Sequence, residues 1–344
     1  MNMSGTDVCS KEAVSNEVVN NGNRRYRPTV VVVRHGERLD YTERAAGRNW
    51  CEANPQQPWN PPLTEKGLGM ANQLGAALEA SFLPELGLPP IGGIYSSPFL
   101  RCRQTAAGIV QGMSSVSSKS LENSSTLKVR VELGLAESIN ENWYRSWSLP
   151  GADGTWGYKK KEIPLQDLPM DQIDPRALQP VGNLLDWKES TPDTNGIVNR
   201  MTDHEYEPLT SLRGEYSFLG NPCKLESFST QRQRMANTMN LLSDKHRKHE
   251  ATSTEGIGTE DETIILVSHG GPVTHLYESL TGNGWHEHGV GKYCCFSIYQ
   301  SEEEPCAPKT ETNENGNKKW IPLVVNRVLW DDGKKNESIN NPSR

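Results

Sequence analysis

Two short runs carry the groups best suited to chemistry: Arg34-His35-Gly36-Glu37-Arg38 and His269-Gly270-Gly271. Each sets an imidazole beside a glycine. Arg101 adds a guanidinium and Glu137 a carboxyl. A neutral imidazole is a nucleophile. Guanidinium groups clamp phosphoryl oxygens through paired N–H donors. A carboxyl serves as a general acid. Together they suit phosphoryl transfer through a phosphohistidine, with the positive charge supplied by arginine. No metal or other cofactor is expected. His286-Glu287-His288 lacks a third ligand cluster and reads as a polar loop.

Strands must place these groups. Thr29 to Val33 is β-branched throughout, which fits a strand buried on both faces. Arg34 and His35 follow at its end. Open α/β sheets bind ligands at that carboxyl edge. Thr263 to Ser268 repeats the design before His269. Pro272 suits the start of a helix over Val273 to Leu280, and Gly270 and Gly271 leave backbone N–H groups to face an anion. Ile91 to Tyr95 and Leu127 to Glu132 predict two further strands, leading to Arg101 and to Glu137. Pro98 suits the first turn of a helix reaching about Gly112, which puts Arg101 and Arg103 at the positive end of its dipole. A bound anion would offset that placement.

The rest of the chain reads as connection and support. Pro55 to Pro62 holds overlapping P-x-x-P patterns, open to an SH3 ligand or to a stiff loop. Thr64 predicts a helix N-cap, and Leu68, Ala71, Leu74, Leu78 and Phe82 give that helix one apolar face. Ser114 to Ser125 predicts a loop. A helix is expected from Glu226 to about Glu250, with Phe228, Met235, Met239 and Leu242 on one side. Tyr293 to Tyr299 and Ile321 to Trp330 predict late strands. The long stretch 139–225 is poorly periodic and crowded with Trp143, Tyr144, Trp147, Trp156 and Tyr158, and it reads as an inserted lid or subdomain.

The expected organisation is a polar, disordered tail over 1–27, one domain over 28–331 containing that insertion, and a tail over 332–344. The fold class is α/β: a three-layer sandwich, its central sheet mostly parallel, helices on both faces, and a long insertion after the third strand. A net charge of −7 argues against a general nucleic-acid or anionic-membrane binder. No apolar run is long enough to span a bilayer, and no signal-peptide core is present near Met1. An odd count of 7 cysteines without paired spacing fits reduced thiols in the cytoplasm, with the nucleus as the other compartment.

The motifs resemble the histidine phosphatase superfamily, the phosphoglycerate mutase-like family, and its branch 1. They are R-H-G-E-R at Arg34 to Arg38, L-T-E-K-G at Leu63 to Gly67, S-S-P-F-L-R-C-R-Q-T-A at Ser96 to Ala106, E-L-G-L-A-E at Glu132 to Glu137 and V-S-H-G-G at Val267 to Gly271. The resemblance implies that His35 is the phosphorylated nucleophile. It implies that Arg34, Arg101 and His269 bind the phosphoryl group, with Arg38 a further pocket arginine, and that Glu137 donates and accepts the proton. In acid phosphatases and phytases of the superfamily the second His is followed by the proton-donating Asp; here Gly270 follows His269. Cofactor-dependent mutases run R-H-G-x-S-x-W-N, from which Glu37-Arg38-Leu39-Asp40 departs. R-H-G-E-R and its companions look most like the phosphatase domain of the ubiquitin-associated and SH3-domain-containing proteins, which act on phosphotyrosine. The N-terminal stretch is too short for their partner domains, which weakens the case for protein substrates. The implied activity is hydrolysis of a phosphomonoester, on a phosphorylated small molecule or a phosphotyrosine. The alternatives are a phosphoglycerate mutase-type transferase and a catalytically idle binding module.

Overall fold

The computed structural model describes residues 27–116, 127–148, 151–158, 196–210, 226–246, 262–302 and 318–330. Six strands form one sheet in the order β3-β2-β4-β1-β5-β6. They are β1 (Thr29–Arg34), β2 (Ile91–Ser96), β3 (Val129–Val131), β4 (Thr263–Ser268), β5 (Phe296–Ser301) and β6 (Trp320–Arg327). β1, β4, β2 and β3 run parallel; β5 is antiparallel to β1, and β6 to β5.

The valine run of β1 packs with the two-residue period of a strand. Val31 and Val33 face one core with Ile265 and Val267 of β4. Val30 and Val32 face the other with Ile264 and Leu266. Burying each such side chain stabilises the fold by roughly 1.5–3 kcal/mol. The first core is covered by α3 (Glu65–Ala77) and α5 (Leu100–Val116). The second is covered by α8 (Phe228–Lys245) and α9 (Gly270–Thr281). The three layers expected of the sequence are therefore present.

Thr64 caps α3 by accepting from Gly67 N, as the sequence predicts. α3 passes through a wide turn at Leu78–Phe82 into α4 (Leu83–Glu85). Two short helices, α1 (Leu39–Ala45) and α2 (Trp50–Ala53), follow β1. Part of the 139–225 insertion is described: α6 (Glu141–Ser148), residues 151–158, and 196–210 with α7 (Ile197–Met201).

Several boundaries differ from the sequence reading. α5 runs on to Val116, because Ser114 and Ser115 donate to carbonyls of their own helix, Val110 O and Gly112 O. β3 is only Val129–Val131. β5 begins at Phe296 rather than Tyr293, since Cys294 takes a left-handed φ of 50° that breaks the extended run. α9 begins at Gly270, which places Pro272 inside its first turn. Phe228 opens α8 but is 54% exposed, so it does not share the buried face of Met235, Met239 and Leu242. Pro58, Trp59 and Pro61 are buried, which removes the P-x-x-P run as an exposed ligand and leaves the stiff loop. Residues 1–26 and 332–344 of the expected tails lie outside the described residues. Among the described residues no helix is long and apolar enough to cross a membrane.

Candidate active site

Every candidate residue sits at or just past the carboxyl ends of β1, β2, β3 and β4. His35 follows β1 directly. Its backbone N–H donates to Ser268 O at 2.9 Å, and its carbonyl accepts from Cys294 N at 3.2 Å. The ring is 1% exposed. Nδ1 lies 2.8 Å from Gly36 O. A carbonyl only accepts, so the single proton of the neutral ring is assigned to Nδ1 and the lone pair to Nε2. Gly36 permits the turn that follows, because a Cβ there would stand 2.7 Å from Gly67 O on α3. Gly36 N donates to Thr105 Oγ1 at 3.0 Å, and that hydroxyl donates to Arg101 O at 2.7 Å. The β1 turn and the first turn of α5 are thereby joined.

Three arginines surround this imidazole. Arg34 donates from Nη1 to Gly291 O at 2.5 Å, and its guanidinium lies 4.6 Å from the Tyr293 ring centre. Arg101 donates from Nη1 to Trp59 O at 3.1 Å. Arg34 Nε and Arg101 Nε are buried and have no hydrogen-bond partner among the described residues. Arg38 donates from Nε and Nη2 to Asp40 Oδ1 and Oδ2 at 2.9 and 2.6 Å. Its guanidinium lies 4.6 Å from the Tyr41 ring and 5.5 Å from the Trp147 ring. Burial works against the Arg38 charge, but Asp40, Tyr41 and Tyr293 together outweigh it, and the pKa is raised. Burial, and then the charge of Arg38, bring Arg101 down to about 10, so it stays protonated at neutral pH.

His269 is fully buried between these groups and Glu137. Its Nδ1 is 3.0 Å from Arg101 Nη2 and 3.4 Å from Glu137 Oε2; its Nε2 is 2.8 Å from Ser97 Oγ. Glu137 Oε2 also stands 3.8 Å from Arg101 Nη2, and Oε1 accepts from Ser138 N at 3.0 Å. The rings of His35 and His269 are 5.4 Å apart. Burial holds both imidazoles well below their ordinary pKa. Arg101, Arg34 and Arg38 add to the effect at His35; Arg101, His35, Arg38 and Arg234 add to it at His269. Gly270 opens α9 against Arg34, where a Cβ would lie 3.1 Å from Arg34 Cζ.

Arg34, His35, Arg101, Glu137, His269 and Gly270 thus come together, with Arg38 alongside, fixed by Asp40. The arrangement can present donors to an anion, a ring nitrogen lone pair and a carboxyl within one buried edge. Sequence reasoning took Asp40 only as a departure from the mutase motif and missed its pairing with Arg38, although the spacing was there to be used. It missed the hydroxyls of Ser97 and Thr105, the latter one helical turn after Arg101. It missed Tyr293, for which no local signal exists. It also assigned no role to Glu132, which is buried at the end of β3 and accepts from Tyr206 Oη at 2.9 Å, Leu209 N at 2.9 Å and Thr210 N at 3.0 Å. Among the described residues no three His, Cys, Asp or Glu side chains are grouped to hold a metal ion.

Residues 30–145 match the histidine phosphatase superfamily (branch 1). No curated protein matches the chain in sequence. Similar solved structures include the ecdysone phosphate phosphatase of Bombix mori, at 17% identity and a TM-score of 0.44, covering 85% of this chain and 96% of that one. A mycobacterial glucosyl-3-phosphoglycerate phosphatase is similar at 16% identity and a TM-score of 0.42, covering 88% and 99%. The phosphoserine phosphatase of Entamoeba histolytica is similar at 14% identity and a TM-score of 0.42, covering 88% and 98%. The matched stretch carries Arg34, His35, Arg101 and Glu137 and ends before His269.

Proposed function

We propose that the protein hydrolyses phosphomonoesters through a phosphohistidine on His35, with Glu137 as general acid and base. One observation carries the reading: His35 commits Nδ1 to Gly36 O and keeps Nε2 as a lone pair inside a ring of arginines. Arg34 and Arg101 receive the phosphoryl oxygens through N–H groups that include the Nε left without a partner among the described residues, together with the Gly270 backbone N–H, while His269 Nδ1 accepts from Arg101 Nη2 and orients that guanidinium. His35 Nε2 attacks phosphorus and the ester P–O bond breaks. Glu137, in its protonated form, gives its proton to the leaving oxygen. As carboxylate it then takes a proton from the water that attacks the phosphohistidine. The P–N bond breaks and inorganic phosphate leaves. The guanidinium groups stabilise the charge that develops on the phosphoryl oxygens.

The rings of Tyr41, Trp147 and Tyr293 stand against Arg38 and Arg34, which favours an aryl ester. Phosphotyrosine is the protein-derived candidate, and phosphorylated small molecules form the other class. The insertion would set the choice between them: Trp143 and Trp147 pack with Trp59 and Phe99, and Phe99 lies 4.9 Å from His269. A reducing compartment, the cytoplasm or nucleus, fits the free thiols of Cys51, Cys102, Cys294 and Cys295.

Purified protein without added metal, given a panel of phosphate esters, tests the activity. Steady phosphate release from aryl phosphates is expected. With 3-phosphoglycerate and a trace of the bisphosphate primer, little conversion is expected. Rapid formation of 2-phosphoglycerate with little free phosphate would overturn hydrolysis in favour of transfer.

A further inference from the structure

We infer that Arg234 and Glu226 form a positioning clamp that sets the reach of Glu137 into the phosphoryl site. The inference rests on the proposed acid role of Glu137. Arg234 lies on α8 and is 1% exposed. Its Nε and Nη2 donate to Glu226 Oε1 and Oε2, both at 2.8 Å. The remaining donor positions go to the backbone of one loop: Nη1 to Gly134 O at 2.6 Å and Ala136 O at 3.0 Å, and Nη2 to Glu137 O at 3.2 Å. A single side chain therefore grips three carbonyls of the turn that carries the acid, including the acid's own.

Glu226 has two tasks in this arrangement. Its carboxylate sets an opposite charge directly against a buried guanidinium, which offsets the cost of taking that charge out of water. Its backbone N–H donates to Ile139 O at 2.9 Å, so the chain returning from the insertion is bonded to the chain entering it. The other end of the loop is held as well. Gly134 N donates to Thr210 Oγ1 at 2.8 Å, and a Cβ on Gly134 would stand 2.1 Å from Thr238 Oγ1, one turn beyond Arg234 on α8. Glu137 thus extends from a backbone with little freedom, and its Oε2 meets His269 and Arg101. A shift of about an ångström in such a group can cost about 10²-fold in rate. Arg234 meets Glu137 through the backbone carbonyl, and its charge also acts on His269, so the variant that tests its effect through Glu137 keeps that charge.

The test compares wild type, Arg234→Lys, Glu137→Gln and the double variant on two esters, with thermal melts to confirm folding. β-Glycerophosphate has a poor leaving group that needs the acid; p-nitrophenyl phosphate does not. Arg234→Lys is expected to lower kcat on β-glycerophosphate by about tenfold or more, and on p-nitrophenyl phosphate by no more than about twofold. In the Glu137→Gln background the same change should add nothing on β-glycerophosphate. If Arg234→Lys does not fold, Glu226→Gln is read in its place with the same expected selectivity. Equal losses on both esters, or an undiminished effect without Glu137, would overturn the clamp. If wild type released no phosphate from either ester, the phosphatase reading would fall and the clamp with it. A selective Glu137→Gln beside an unselective Arg234→Lys would sink the clamp alone.

Discussion

Arg101 Nη2 stands 3.0 Å from His269 Nδ1, and this contact fixes the state of the second imidazole. A guanidinium only donates, so Nδ1 accepts and the ring proton belongs on Nε2, where Ser97 Oγ waits at 2.8 Å. His269 is therefore held neutral with its proton assigned. His35 is held neutral by a different device, a backbone carbonyl on Nδ1 and cations around the ring.

Activity should persist at acid pH for that reason. Both imidazoles have pKa values well below 6.5. His35 must be neutral to attack, so the acid limb of kcat/KM is expected below pH 6.5. A limb centred at 6.5 or above, and abolished with His35, would contradict this placement.

The same shifts make a stability prediction. In the unfolded chain both rings bind protons as pH falls through 6.5; in the folded protein they do not until the pH falls well below it. The unfolded state then holds more protons, so stability is complete above pH 6.5 and declines as pH drops beneath it. The slope is at most about 1.4 kcal/mol per pH unit for each ring. Thermal melts from pH 7.5 downward should show the decline, and His269→Asn should flatten it.

Glu137→Gln should lower kcat on alkyl phosphates by about 10²-fold or more, with p-nitrophenyl phosphate much less affected. Comparable losses on both would move Glu137 from proton transfer to binding.

Asp40→Ala should destabilise the protein by about 3–5 kcal/mol, because it leaves the Arg38 charge buried without a partner. The measurement is denaturant unfolding. Arg38→Met paired with Asp40→Leu should restore much of the loss, while phosphate release stays impaired.

Trp143 of the insertion is buried against Trp59 and Phe99. Trp143→Ala is expected to cost about 3–5 kcal/mol of stability. Tyr41→Ala, at the half-buried ring beside Arg38, is the better probe. It should raise KM for aryl phosphates while leaving alkyl phosphates nearly unchanged.

β1 and β4 were readable because their β-branched and aliphatic runs have nowhere to go but the middle of a sheet. The active groups were readable because each follows a strand directly. Thr64 announced its helix by capping chemistry. Contacts that tertiary packing creates were not readable. Arg234 lies far along the chain from Glu137, and nothing local distinguishes it from Arg232, which pairs with Glu278. Phe228 fitted the helical period of α8 but falls in the first turn, beyond the part of the helix that meets the sheet. The end of β3 was overextended because alternation continues to Glu132, although Leu133–Leu135 tightens into a 3-10 turn.

Covalent trapping tests the central claim most directly. Protein mixed briefly with labelled aryl phosphate and quenched in alkali, where phosphohistidine survives, should carry label on His35, lost with His35→Ala together with phosphate release. Full turnover by His35→Ala, or label at another residue that persists in that variant, would contradict the account.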